Sequence, residues 1–227
     1  MKTFSLVHAT ARLKNQRWKP AHDAWLGQAD NPQDIEYILA VDTVDWALAP
    51  REYGWFHVVE HTGPNNAASA WNCAAAHSTG KFIIQVADDF FPPPHWDTEL
   101  LNVVTDLDGE YVVEVSTGTP SDERRLLINC FLTRPYYERI GNLFYHEYES
   151  MAADDDFSEM ARSDGVVIDA RHLVFEHKHY IWGTAPFDSI YQRQNAPERY
   201  ERGAAILARR RANNFAGANH ALREITR

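Results

Sequence analysis

A chain of 227 residues, 44% apolar and 24% charged, has the composition of an ordinary globular protein and enough length for one sizeable core. Its formal net charge of −10 argues against a nucleic-acid-binding surface over the whole molecule, and no apolar run approaches the roughly 18 residues needed to span a bilayer. The opening residues are too weakly apolar for a secretory signal, and Cys73 and Cys130 sit in apolar surroundings, so the expectation is a cytoplasmic protein with two reduced core thiols.

Residues 4–9 read as a first strand, with Trp18, Ala21, Trp25 and Ala29 at helical spacing behind it. A second strand, 35–41, stops on Asp42, and 55–60 read as a third. Asn65 and Asn66 can cap a helix whose apolar face is Ala67, Ala70, Trp71, Ala74 and Ala75, with Gly80 placed as its C-cap. The most informative stretch follows: residues 81–87 form an apolar strand that runs into Asp88 and Asp89. Ionised carboxylates beside a core are costly unless paired, and at the carboxyl end of a strand in an open α/β sheet the partner is often a ligand or metal. Two adjacent hard oxygen ligands suit Mg²⁺ or Mn²⁺; a turn-forming or capping pair is the structural alternative. Phe90, Phe91 and the prolines at 92, 93 and 94 then turn the chain.

Asp97 is placed to cap a short helix with Leu100, Val103, Val104 and Leu107 on one face. Strand and helix thus alternate through the first half, which predicts right-handed crossovers and a mainly parallel, doubly wound α/β sheet with helices on both faces. Beyond it, 111–115 and 126–131 read as strands, and Pro135 as the first residue of a helix running to Gly141. Asp154, Asp155 and Asp156 precede the apolar stripe of Phe157, Met160 and Ala161, so they lie at a helix N-terminus. The macrodipole accounts for one or two carboxylates there; three, with Glu147 and Glu149 nearby, point to one held as a general base.

A short strand at 173–175 leads into His177 and His179, whose alternation lets both imidazoles reach one site, where they can complete a metal shell. Trp96 and Trp182 lie near these clusters and offer faces for a sugar. From 193 to 227, eight arginines against three glutamates give +5, leaving −15 on the remainder. That tail can meet an anionic partner such as a membrane surface, or close as a lid that brings Arg209, Arg210 and Arg211 to phosphates. Alternatively it packs as an amphipathic helix with Ala204, Ala205, Leu207, Ala208 and Ala212 inward. The expected organisation is one domain, residues 1–227, with a nucleotide-type half to about 97, an acceptor-type half over about 98–192 and the basic helical tail after that.

The order of these clusters resembles the nucleotide-sugar-dependent glycosyltransferases of the GT-A fold, especially the large inverting family, family 2-like, of bacteria and phages; the likeness runs over about residues 4–182. It implies a GT-A (Rossmann-like) fold and donor contacts from His8, Thr10, Asp42, Asn72 and Asp88. It further implies Mn²⁺ or Mg²⁺ held by Asp88 and Asp89 with His177 or His179, and a base at Asp154 or Asp155, with Asp156 also in reach. The donor would be a nucleotide sugar, commonly a UDP-sugar. The acceptor would be a hydroxyl on a glycan, lipid-linked sugar, protein, small metabolite or modified DNA base. The chain departs from the family pattern at Val86, where an acidic residue is usual, and at Trp71, where an Arg often precedes the helix Asn. Two rival readings are a sugar nucleotidyltransferase and a non-catalytic carbohydrate- or ion-binding module. The first wants a glycine-rich loop after the first strand, and residues 8–13 contain no glycine.

Overall fold

The computed structural model describes residues 2–215. In chain order its strands are β1 (Phe4–Thr10), β2 (Ile35–Asp42), β3 (Phe56–His61), β4 (Phe82–Val86), β5 (Phe90–Phe91), β6 (Val112–Ser116), β7 (Phe131–Thr133), β8 (Val167–Val174) and β9 (Glu176–His177). The helices are α1 (Trp18–Gly27), α2 (Ala67–Ala76), α3 (Trp96–Val103), α4 (Arg134–Ile140), α5 (Ala153–Ser163), α6 (Ser189–Gln194) and α7 (Pro197–Ala212). Seven strands form one sheet in the order β3-β2-β1-β4-β7-β6-β8, while β5 and β9 pair as a separate antiparallel ribbon. β1 is parallel to β2 and β4, β2 to β3, and β6 to β8; only β7 runs antiparallel to its neighbours. The chain winds outward from β1 to β3 and then returns to the other side of β1 with β4. The carboxyl ends of β1 and β4 therefore flank the point where the winding reverses, which is where open α/β sheets bind ligands.

Side-chain alternation explains why helices cover both faces. Phe4, Leu6, Tyr37, Leu39, Phe82 and Ile84 point to one side, where Trp18, Ala21 and Trp25 of α1 and Trp96 and Leu100 of α3 pack on them. Val7, Ile38, Ala40, Ile83 and Leu132 point to the other, against Ala70 and Ala74 of α2, Tyr136 and Tyr137 of α4, and Phe157 and Met160 of α5. This is the mixed, mostly parallel α/β architecture that the alternating pattern implied.

Several local expectations are corrected. Residues 126–130 are not strand; β7 begins only at Phe131, because Cys130 N–H is captured by the Gln85 side chain and Asn129 bonds the Gln85 carbonyl, which holds the segment as a loop against β4. Gly80 is not the C-cap of α2, a place taken by His77. It is needed because a Cβ there would lie 2.6 Å from Ser5 Oγ and 2.8 Å from the Phe4 carbonyl carbon. Asp97 caps nothing: His95 precedes α3, and the buried Asp97 carboxylate accepts the N–H groups of Asp30 and Asn31 at 2.8 Å. Trp96 offers no face to a sugar, since it is fully buried between Phe4 and Trp25. β8 is longer than the short strand expected at 173–175.

The basic tail folds back on the acidic body. Arg199 and Arg202 pair with Glu149, Arg209 with Glu147, Arg210 with Asp156 and Arg211 with Glu159. Gly203 lets α7 approach the Met151 carbonyl more closely than any side chain would allow. The inward face is Gly203, Ile206, Leu207 and Arg210, so the expected alanine face is rotated: Ala204, Ala205, Ala208 and Ala212 are exposed. Arg209, Arg210 and Arg211 are thus committed to the protein's own carboxylates and do not form a phosphate-binding lid. Arg223 and Arg227 lie outside the described residues. Among the described residues, no helix is long and apolar enough to cross a membrane.

Candidate active site

A cavity of about 680 Å³ opens at the carboxyl ends of β1, β2 and β4, a size in the usual range for small-molecule sites. Ala9 and Thr10 at the end of β1, Asp42 at the end of β2, and Asp88 and Asp89 after β4 form its floor, with Arg12 just beyond β1 beside them. Trp71 of α2, the loop around Asn129, the start of α5 at Asp154 and Asp155, His177, His179 and α6 complete the wall.

Asp88 is enclosed by protein. His8, itself fully buried, reaches it through Nε2 at 3.0 Å while His8 Nδ1 lies 2.5 Å from the Tyr37 hydroxyl. Thr10 donates its hydroxyl to the other carboxylate oxygen at 3.0 Å, and Arg12 stands 3.6 Å from that same oxygen. His8 therefore acts behind Asp88 and does not line the cavity. Asn72 does not line it either: its amide exchanges two hydrogen bonds with the main chain of Phe144, at 2.8 and 3.0 Å, and is fully used in holding that loop. Asp42 does face the cavity, oriented by His61 Nδ1 at 2.7 Å. Trp71, where the family often has Arg, donates its indole N–H to the Val86 carbonyl at 2.8 Å and so braces the end of β4.

Asp89 differs from its neighbour. The Tyr191 hydroxyl donates to it at 2.6 Å, and His177 Nε2 lies 3.7 Å away. Burial pushes its carboxyl up, but His177 and the Tyr191 hydroxyl outweigh that and hold it at about 2. His177 Nδ1 is buried and has no hydrogen-bond partner among the described residues, and the His179 ring centroid is 5.3 Å from that of His177. Burial lowers His179 further, with the neighbouring His177 acting in the same direction. Among the described residues, no three acidic, His or Cys side chains converge as a ready cage for a metal. The donor chemistry of Asp89 and His177 nevertheless fits one edge of a divalent shell whose remaining positions belong to phosphate oxygens and water. Asp88 fits less well as a ligand, because its oxygens are already hydrogen-bonded and faced by a guanidinium.

The three aspartates of α5 have three different environments. Asp156 is buried and held by Arg210 at 2.8 Å and by the Tyr148 hydroxyl at 3.1 Å, a structural clamp between α5 and α7. Asp155 pairs with Arg124 at 3.2 Å. Asp154 lines the cavity, and its carboxylate accepts the adjacent Asp155 N–H at 3.1 Å. Burial, with the charge of Asp155 added, raises the Asp154 carboxyl to about 6. A carboxylate with a raised pKa, facing a cavity without a cationic partner, is suited to taking up a proton near neutral pH.

Arg12, Arg124, Asp188, Tyr191 and Arg193 complete the site without having been singled out in the sequence. Arg12 has a signal, two residues beyond Thr10 at the end of β1. Tyr191 and Asp188 have none, because they meet Asp89 and Arg12 only across 102 and 176 positions of chain.

The glycosyl transferase family 2 model matches residues 21–151, more than half of the chain. Residues 1–349 of TarS from S. aureus superpose with a TM-score of 0.60 at 14% identity, covering 95% of this chain and 74% of that one. Mannosyltransferase PcManGT from Pyrobaculum calidifontis, crystallised with GDP-Man and Mn²⁺, gives 0.55 at 19% identity, with 94% and 75% covered. Glucosyl-3-phosphoglycerate synthase from Mycobacterium tuberculosis, crystallised with Mn²⁺, UDP-Glc and phosphoglyceric acid, gives 0.56 at 11%, with 89% and 80% covered. No curated protein sequence matches significantly. At these identities the structural likeness establishes a shared GT-A fold.

Proposed function

The chain belongs to glycosyl transferase family 2, and we propose that it moves a sugar, with inversion and metal assistance, from a nucleoside diphosphate donor to an acceptor hydroxyl. The observation that carries this reading is Asp154, a carboxylate raised to about 6 that lines the same cavity as the Asp88 and Asp89 strand end. In the proposed reaction the donor lies over the ends of β1, β2 and β4, and the acceptor hydroxyl approaches Asp154. As its oxygen bonds to the anomeric carbon, the bond to the diphosphate breaks, and Asp154 accepts the hydroxyl proton. Attack from the face opposite the leaving group inverts the anomeric centre.

Asp42, oriented by His61, would contact the nucleoside, and Thr10 and Asp88, which line the same cavity, would border the donor. Asp89 and His177, with His179 beside them, would hold Mn²⁺ or Mg²⁺, which supplies positive charge for the leaving diphosphate. UDP-sugars are the first donors to test; a GDP-sugar is the second, given the GDP-Man bound to the mannosyltransferase of the same fold. A cytoplasmic location fits these donors.

Calorimetric titration with UDP and GDP, with Mn²⁺ and with EDTA, tests the donor reading; NMR of the product anomer tests inversion. Metal-dependent binding of one nucleoside diphosphate is expected. Absence of binding to either, in both conditions, would sink the reading and favour a carbohydrate- or ion-binding module.

A further inference from the structure

The cavity is rich in carboxylates, yet the proposed donor is a dianion, so cations must be available to it. Three arginines line the wall: Arg12, Arg124 and Arg193. Arg12 is already engaged, with Nε 2.7 Å and Nη2 3.2 Å from the two oxygens of Asp188, and it stacks over the Tyr191 ring at 4.4 Å. Arg124 is paired with Asp155. The Arg193 guanidinium makes neither an ion pair nor a hydrogen bond with any described residue, and its buried Nε has no acceptor among them.

A buried N–H without an acceptor is unfavourable in a finished structure, and most such groups in native proteins are met by a partner or by solvent. The position of Arg193 says what the partner is. It lies on α6, which is fixed to the floor by Tyr191 on Asp89 and by Asp188 on Arg12. Those anchors hold Arg193 near the reversal point between β1 and β4, where a diphosphate is expected. The floor carboxylates do not compete for it: Asp88 faces His8 and Arg12, and Asp89 faces His177. A planar guanidinium presents paired donors that match phosphate oxygens, which an ammonium does not.

We infer that Arg193 is the protein's diphosphate-binding cation: an arginine on α6 that donates its N–H groups to the phosphate oxygens of the nucleotide sugar and holds them over the Asp88 and Asp89 strand end. This takes the phosphate contact away from Arg209, Arg210 and Arg211, which serve the tertiary fold. It rests on the nucleotide-sugar reading above and adds the residue that recognises the diphosphate.

The test is calorimetry of UDP, UMP and uridine against the full chain, wild type, Arg193→Gln and Arg193→Lys, with GDP, GMP and guanosine as the parallel series. Loss of one charge-assisted contact predicts UDP binding about 10- to 100-fold weaker in Arg193→Gln. Uridine binding and the thermal midpoint should be unchanged, and Arg193→Lys should recover only part of the loss. Equal UDP affinity in wild type and Arg193→Gln would overturn the inference. If inorganic phosphate then competes with substrate in wild type but not in the variant, the arginine serves an anionic acceptor instead of the donor. A fall in uridine binding or in the midpoint, equal to the fall for UDP, would overturn it in favour of a structural role. Wild type that binds neither diphosphate series rejects the donor reading itself, a result separate from any effect of the variants.

Discussion

Two acidic clusters border the cavity, and they are built in opposite ways. At the end of β4, Asp88 and Asp89 are surrounded by donors: His8, Thr10 and Arg12 on one, Tyr191 and His177 on the other. The charge of Asp89 is stabilised, and its carboxyl sits at about 2. At the start of α5, Asp155 pairs with Arg124 and Asp156 with Arg210, while Asp154 makes no ion pair with a described residue and rises to about 6. Asp89 is met by side-chain donors, whereas Asp154 is met only by main-chain N–H groups among the described residues. Sequence neighbours can therefore hold separate roles, because a pKa follows the environment and not the residue type.

The sharpest way to break this contrast is Asp154→Asn. Loss of a general base should lower kcat for transfer by about 10²- to 10⁴-fold with nucleotide binding retained, as read by a coupled diphosphate-release assay and calorimetry. Asp155→Asn should fall far short of that; an equal loss would move the base to Asp155. Arg210→Ala tests the structural member of the cluster. Leaving Asp156 as an unpaired buried charge should cost roughly 3–5 kcal/mol in urea unfolding, and the urea midpoint should drop accordingly.

A pH series sharpens the comparison further. With Asp154 raised to about 6, the transfer rate should fall about tenfold per unit as pH drops below that value, and Asp154→Asn should lose this limb. The same shift bears on stability. The folded chain keeps the Asp154 proton to about 6, whereas the unfolded chain releases it near 3.9, so this group's contribution is full below the lower value and is lost as pH rises through the higher one. Asp154→Asn should then melt later than wild type at pH 7.5 and show no such gain near pH 3. Tyr191→Phe removes one donor from the charged Asp89 and should cost roughly 1.5–3 kcal/mol, with faster proteolysis around α6 as its signature. Smallest of all, Arg209→Ala removes an exposed pair with Glu147 and should leave the melting midpoint unchanged within error.

Much of the site could be read from local pattern because local chemistry set it. An apolar run such as residues 82–86 has to be a buried strand, and carboxylates just past it have to lie at a sheet edge. Asp154 at a helix start, before Phe157 and Met160, is equally local. What failed was of another kind. Asn72 and His8 sit at expected positions in the chain, yet their polar atoms are consumed by Phe144, Tyr37 and Asp88, and nothing within a few residues announces those partners. The strand expected over 126–131 lost most of its length because Gln85, some 45 positions earlier, takes the Cys130 N–H.

The amino-acid sequence by itself determined the alternation of strands and helices, the winding of the sheet and the two acidic clusters, since periodicity and strand-end chemistry act over a few residues. The tertiary structure alone decided which aspartate carries the raised pKa, and which of the arginines lining the cavity pair with the protein's own carboxylates and which does not. Those outcomes depend on charges and donors brought within about 4 Å from distant parts of the chain, a range at which burial and pairing outweigh any intrinsic preference of the side chain.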